Sequence, residues 1–144
     1  MDPMVREAFF KQVEMEPFAK KFGLSLLDIK DGYSMVKMSL TPDMENLAGK
    51  AHGGAIFTLL DEAFEIASNS DGNIAVALTM SITYLSSPSP GSTLVAEAKE
   101  ISQDVETAVY EIKVFDDQNR SIASCQGVVY RTMKPHSFVK RTMK

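Results

Sequence analysis

The stretch "NLAGKAHGGAIFTLLDEA", Asn46 to Ala63, decides how the rest of the chain is read. Counted at about 100° per residue, Ile56, Phe57, Leu59, Leu60, Ala63, Phe64 and Ala67 cover an arc of roughly 160° on a helix that opens at the two glycines. Thr58, Glu62, Glu65 and Asn69 fall on the opposite side, toward solvent or a partner. Asp61 falls at the border, flanked by Phe57, Phe64 and Ser68, so it is expected to be partly solvated and Glu62 wetter.

Outward from this helix the periodicity changes to two. Val76–Leu85, Thr93–Ile101, Thr107–Phe115 and Ser121–Tyr130 alternate as strands, separated by "SSPSPGS", "SQDVE" and "DDQN", which are short enough for a meander of antiparallel neighbours. Val76, Leu78, Met80, Ile82 and Tyr84 are expected on one face of the first strand. Before the helix, "LSLLDIK" and "YSMVKMSL" read as strands around Asp31-Gly32, and residues 1–22 as a leading helical segment ending at Gly23. A helix that apolar, set among about six strands, is best buried by an antiparallel sheet curled round it, an α+β architecture. Residues 1–144 are expected to form a single domain, with 133–144 as a loose basic tail carrying an exposed His136.

Composition narrows the function. The 144 residues are 44% hydrophobic and 24% charged, a globular balance, and the net charge of -4 argues against a nucleic-acid surface. Cys125 is the only cysteine, which removes disulfide frameworks and cysteine-based zinc sites and fits a reducing, cytoplasmic setting. It reads as a small core residue rather than a nucleophile. The start "MDPMVREAFFKQVEME" is too charged for a signal peptide, and no apolar run approaches the roughly 20 residues of a membrane span. No membrane partner is expected.

His52, Gly53 and Gly54 admit two readings on spacing alone. They could be structural: a histidine satisfying a helix start, glycines allowing close packing, and Asp61 a surface carboxylate. Alternatively, Gly53 N–H, unpaired in the first turn and at the positive end of the helix dipole, is an oxyanion donor for acyl transfer, with Asp61 as base or nucleophile. On the second reading the two lie about 12 Å apart along one helix, so the carboxylate must come from another subunit. There is no G-x-S-x-G elbow, and Ser68 and Ser70 fit helix capping better than nucleophilic attack.

At these residues the chain resembles the PaaI-type branch of the hot-dog-fold acyl-CoA thioesterases. The resemblance runs from about Phe18 to Arg131 and rests on Asn46, the His52-Gly53-Gly54 turn, Asp61, the Asn69-Ser70-x-Gly72 helix end and the "ITYLSSP" strand exit. It implies a long central helix wrapped by a curled sheet, and a homodimer, often a dimer of dimers, with acyl-CoA bound at the subunit interface. Asp61 then resembles the catalytic carboxylate and Gly53 the residue whose N–H polarises the thioester carbonyl. Asn46 resembles a side chain holding the water, and His52 one orienting the turn. Gly54, Tyr84 and Ser86 fall along the substrate, the last two where relatives contact the pantetheine arm. Some animal relatives carry a serine hydroxyl at the position of Ala77, and its absence leaves Thr79 as a water-holding candidate.

An activated thioester with a good leaving group needs a carboxylate and one or two oxyanion donors, so no metal or separate cofactor is expected; coenzyme A belongs to the substrate. Its phosphates could meet Lys50, Arg131, Lys134, Lys140 or Arg141. Phe57, Phe64, Met80 and Tyr84 fit an apolar acyl tunnel and core packing equally, leaving aromatic and medium-chain acyl groups both open. Two other functions remain in view. A hot-dog hydratase or dehydratase usually pairs a histidine with the carboxylate, and only His52 is near. A non-catalytic acyl-CoA-binding regulator needs an output domain, for which some 20 residues before the first strand are few.

Overall fold

Asp2 accepts hydrogen bonds from the N–H groups of Met4 and Val5 at 2.8 and 3.2 Å, and with Pro3 in the first turn it starts α1, Pro3–Met15. In the computed structural model, which describes residues 1–142 and 144, α2 (Pro17–Phe22), β1 (Ser25–Lys30) and β2 (Tyr33–Ser39) follow. A short 3-10 turn, Pro42–Met44, leads to α3, Gly53–Ser68. Then come β3 (Asn73–Tyr84), β4 (Thr93–Gln103), β5 (Thr107–Phe115), β6 (Ser121–Pro135) and α4 (Ser137–Thr142). Among the described residues no helix is long and apolar enough to cross a membrane.

The strands form one antiparallel sheet in the order β1-β2-β4-β5-β6-β3. The sequence reading makes β3 and β4 neighbours; in the structure they are not. Both edges of β4 are taken, by β2 and β5, so β3 pairs with β6 and forms the far edge. The connection from Leu85 to Ser92 can cover about 26 Å, ample for three strand spacings of roughly 14 Å in all.

Leu59, Leu60, Ala63, Phe64 and Ala67 of α3 are fully buried against Val36, Met38, Leu94, Ile112 and Val114. Small residues let the helix approach: Ala96 and Ala98 on β4, and Gly127 on β6, where a Cβ would stand 2.6 Å from the Phe64 ring. Burying one such phenyl group stabilises the fold by about 1.5–3 kcal/mol. The buried Ser34 hydroxyl donates to the Ala63 carbonyl at 2.6 Å, so this polar side chain under the helix is paired.

Because the Phe64 ring marks the helix side of Gly127, the paired residues of β3 can be assigned to faces. Met80 opposes Gly127, Ile82 opposes Cys125 and Tyr84 opposes Ala123, all on the helix side, as is Ala77 opposite Val129. A bulge between Ala77 and Thr79 leaves Leu78 unpaired, and Val76, opposite Tyr130, faces outward. The single apolar face expected for Val76 through Tyr84 is therefore broken by one extra residue. Val76 and Leu78 are about half exposed.

Three further expectations are corrected. Glu62 is 3% exposed rather than wet, because Glu16 at the α1–α2 junction lies against that side of α3. Asn69 is buried too: its Oδ1 accepts from Ala75 N–H and its Nδ2 donates to the Glu65 carbonyl, closing the helix end. The tail is packed rather than loose; β6 runs to Pro135 and α4 buries Val139, while Met143 lies outside the described residues. His136 sits against Phe9 and Phe138, and its Nε2 donates to Asn69 Oδ1 at 2.7 Å, an oxygen already identified as an acceptor by Ala75 N–H.

Burial holds His136 below the usual histidine value, opposed in part by the charge of Asp71. The folded state thus binds fewer protons than the unfolded chain just below pH 6.5, and the contribution of His136 is full above that pH and lost as pH falls through the depressed value. The unfolding midpoint of the wild type is expected to gain on that of His136→Gln as pH rises from about 5 to 7. A difference that stays flat across that range would refute this.

Candidate active site

The start of α3 is built by a histidine cap. His52 has extended backbone (φ -65°, ψ 136°), and its Nδ1 accepts the Gly54 N–H at 2.8 Å. Accepting there requires a ring unprotonated at Nδ1. Gly54 is a glycine because a Cβ would stand 2.9 Å from Nδ1 and push the ring off the cap. At Gly53 a Cβ would meet the Tyr84 ring at 3.3 Å, and the Tyr84 hydroxyl donates to the Gly53 carbonyl at 3.1 Å. With the cap spent on Gly54, the Gly53 N–H has no acceptor among the described residues and lies at the positive end of the helix dipole.

Asn46 anchors the loop before the helix. Its Oδ1 accepts from Ala48 N–H at 2.9 Å and Lys50 N–H at 3.1 Å, and its backbone N–H donates to the Lys50 carbonyl at 2.7 Å. The amide oxygen is therefore committed, and what the side chain can offer a ligand is its NH2 group. Asn46, Lys50, Gly53, Ile56, Tyr84 and Ser86 line one open cleft of about 420 Å³. His52 and Leu47, whose side chain is wholly exposed, line a separate open groove that has Asn46 in common with the cleft. Ser86 donates its hydroxyl to the Ser121 carbonyl. A larger open groove, about 740 Å³ between Lys21–Gly23 and Thr41–Met44, contains none of these residues.

Asp61 is absent from the cleft. Eight residues after Gly53 on α3, it stands about 12 Å farther along the axis. It is half-buried and makes no hydrogen bond among the described residues; burial first, and the charge of Glu16 second, raise its carboxyl above the usual aspartate value. Thr79 is likewise elsewhere: opposite Val128, it faces away from α3. Of the basic candidates only Lys50 lines the cleft. Arg131 is committed to Asp71 at 3.3 Å and to the Asp104 carbonyl at 2.8 Å, at the other end of α3, and Lys140 and Arg141 ride on α4. Phe64 belongs to the core, as does Cys125, whose thiol burial pushes up to about 11.

One group escapes the sequence reading. Glu16, Glu62 and Glu65 converge, their carboxylate oxygens within 4.8 Å of one another. The i, i+3 spacing of Glu62 and Glu65 signals two of them, whereas nothing local marks Glu16, which arrives through the tertiary fold.

A thioesterase superfamily model matches residues 48–123, which include the His52 cap, Asp61 and every cleft residue named above except Asn46. A relative from Archaeoglobus fulgidus is 44% identical over 106 residues, 74% of this chain and 69% of its own. The acyl-coenzyme A thioesterase PaaI of Escherichia coli is 35% identical over 82% of this chain and 84% of its own. The solved structure of Escherichia coli PaaI, from the phenylacetic acid degradation operon, superposes with a TM-score of 0.87 at 31% identity, covering 92% of this chain and 96% of that one. A Streptococcus mutans protein solved with acetyl-CoA bound gives a TM-score of 0.75 at 29% identity, covering 78% and 91%.

Removing the cap tests the local construction. His52→Ala is expected to cost about 1 kcal/mol in urea unfolding, and His52→Asn, which restores a side-chain acceptor at the same position, to recover most of it. Equal stability of His52→Ala and wild type would show that the ring does not hold the helix start.

Proposed function

The chain belongs to the thioesterase superfamily, with the hot-dog fold and a thioester hydrolase's descent, and from that membership we propose that it hydrolyses acyl-CoA to free acid and coenzyme A at a site shared by two protomers. The observation that carries the reading is the separation on α3: an unpaired Gly53 N–H opens into a cleft, and a half-buried, unpaired Asp61 stands two turns away. Neither completes a site within its own chain. In a homodimer each cleft receives the partner's aspartate.

In that arrangement the thioester carbonyl oxygen lies on the Gly53 N–H, where charge develops as the carbon becomes tetrahedral. Asp61 takes the proton of the attacking water, or, in the covalent variant of the same geometry, attacks the carbonyl itself to form an acyl-aspartyl anhydride that water cleaves after coenzyme A has left. The C–S bond then breaks and coenzyme A leaves as thiolate. The Asn46 NH2 group holds the water, His52 keeps the turn in shape, and Tyr84 and Ser86 border the pantetheine arm. Lys50 is the one cleft cation available to a phosphate. Support for an acyl-CoA substrate comes from the Escherichia coli thioesterase and the acetyl-CoA-bound neighbour; the phenylacetic acid context of the former favours an aromatic acyl group, with medium chains as the alternative.

Self-association is supported by the free edge of β3, twelve residues long, with Val76 and Leu78 exposed on it. Such an edge pairs with another chain unless it is blocked. A β3-to-β3 pairing makes one continuous sheet and brings two α3 helices side by side; a dimer of dimers extends it. The free, buried thiol of Cys125 suits a reducing cytoplasm.

Asp61→Asn is expected to lower kcat/KM for acyl-CoA by about 100-fold or more with an unchanged circular dichroism spectrum. Retained activity in a folded Asn variant removes Asp61 from the reaction.

Mixing variants tests the shared site. Gly53→Pro deletes the N–H, and His52 already has the extended backbone that a residue before proline prefers. Each of Asp61→Asn and Gly53→Pro should be nearly inactive alone. Co-refolded, with chain exchange verified by a mass tag, they should regain up to about half the wild-type activity per mixed dimer, because one of the two sites joins an intact Gly53 to an intact Asp61. No recovery among verified mixed dimers rejects the shared site.

A further inference from the structure

Away from the cleft, α1 ends at Met15 and the chain turns at Glu16, in extended backbone (φ -64°, ψ 120°), before Pro17 opens α2. The corner is stiff, since Pro17 restricts its own φ and the conformation of the residue before it. It aims the Glu16 carboxylate at α3, where Glu62 and Glu65 project one turn apart. Three carboxylates thus meet with no lysine, arginine or histidine in an ion pair with any of them among the described residues. Left so, they repel.

Glu62 makes the arrangement more than a surface cluster. The residue is 3% exposed, and its Oε1 has no hydrogen-bond partner among the described residues. A buried acceptor oxygen without a donor is costly, and a carboxylate more so. A single proton bridges two oxygens; three converging carboxylates with one oxygen unmet call for a centre that all three can touch. Oxygens bound to one ion at 2.3–2.6 Å lie no more than about 4.6–5.2 Å apart, so three oxygens within 4.8 Å of one another can share a single ion. Beside the cluster, Gln12, Glu16, Glu65 and Asn69 help to wall a chamber of about 50 Å³ between α1, α3 and α4, room for a water in the remaining coordination.

We propose that Glu16, Glu62 and Glu65 bind one calcium ion, which ties the α1–α2 corner to α3. The donor set is all oxygen and anionic, the chemistry of a hard divalent cation rather than of zinc or copper. Calcium is favoured over magnesium because it accepts several protein carboxylates in irregular geometry, whereas magnesium demands a near-ideal octahedron and keeps most of its water. The ion lies outside the thioester chemistry and acts as a clamp: it fastens the two leading helices to the helix that carries Asp61. The proposal does not depend on the thioesterase reading.

The full-length protein, dialysed against EGTA and returned to chelator-free buffer, is titrated with calcium chloride by calorimetry at fixed pH and ionic strength, and its unfolding temperature is followed in parallel. Expected are one calcium per chain, with a dissociation constant on the order of 10⁻⁵ to 10⁻³ M, a rise in unfolding temperature, and weaker binding of magnesium. Glu62→Gln, which keeps the side chain's size and removes its charge, should weaken calcium at least 10-fold and abolish the thermal gain. Glu16→Gln, at the partly exposed corner, should do the same and serves if Glu62→Gln does not fold. Glu14→Gln, exposed on α1 outside the cluster, should bind calcium like the wild type. No binding up to about 5 mM overturns the proposal, as does calcium binding that survives both cluster substitutions. Binding of manganese with calcium excluded overturns the choice of ion.

Discussion

The seat of the Phe64 ring on the backbone of Gly127 is the contact on which the rest of the molecule depends. A methyl group there would stand 2.6 Å from the ring, so α3 can approach β6 only because that position is bare. The close approach lets Leu59, Leu60 and Ala63 reach the alanines of β4 and the branched residues of β5. The same ring identifies which side of β6 faces the helix, and through the β3–β6 ladder it places Met80, Ile82 and Tyr84 on that side. Tyr84 in turn reaches the first residue of α3. Core packing and the geometry of the cleft are therefore one problem: a helix shifted on the sheet would part the tyrosine from Gly53.

At the N-terminus of α3 the backbone is arranged by what it withholds. An ordinary cap would satisfy whichever early N–H it reached, and here the His52 ring selects Gly54. Gly53 keeps a free donor in a cleft whose other walls are an asparagine with its oxygen committed and a tyrosine bonded to the adjacent carbonyl. Such a fixed dipole needs no rearrangement when charge develops beside it, which is what the proposed oxyanion role of Gly53 requires. The price is paid at the other end of the helix's reach, since a rigid helix cannot bend its own Asp61 back to the cleft. The rigidity of that one helix is what holds the two groups apart within the chain.

The acidic side of α3 follows a different logic. Asp61, Glu62 and Glu65 occupy successive positions round one stretch of helix, and the α1–α2 corner adds Glu16 to them. Burial raises the carboxyl of Glu62 above the usual glutamate value, and the neighbouring carboxylates of Glu16 and Glu65 act in the same direction. Asp61 shares in this field through the charge of Glu16. The chain thus concentrates negative charge along a helix whose other face is wholly apolar, and whatever neutralises that charge also governs how firmly the leading helices are held.

Much of the architecture is legible in the chain alone. The wide apolar arc from Ile56 to Ala67, the alternation of β5, the Asp31-Gly32 turn and the Gly23 stop are local patterns, and local patterns report elements faithfully because side-chain period and turn chemistry act over a few residues. The resemblance carried by His52-Gly53-Gly54 and Asp61 likewise reads directly from residue types at fixed spacing. Pairing is different. That β3 joins β6 and not β4 depends on which strand edges remain free once the whole sheet is assembled, and the bulge at Leu78 turns Val76 outward by one residue of slip that periodicity cannot register. Glu62, Asn69 and His136 read as exposed polar residues because each is polar and lies off the apolar stripe. Their burial is decided by segments distant in sequence, the Glu16 corner and the α1–α4 packing, which close over them. Sequence determined the elements and the chemical types at the helix start; the tertiary structure decided which groups are left unpaired, since an unpaired group is defined only by everything that fails to reach it.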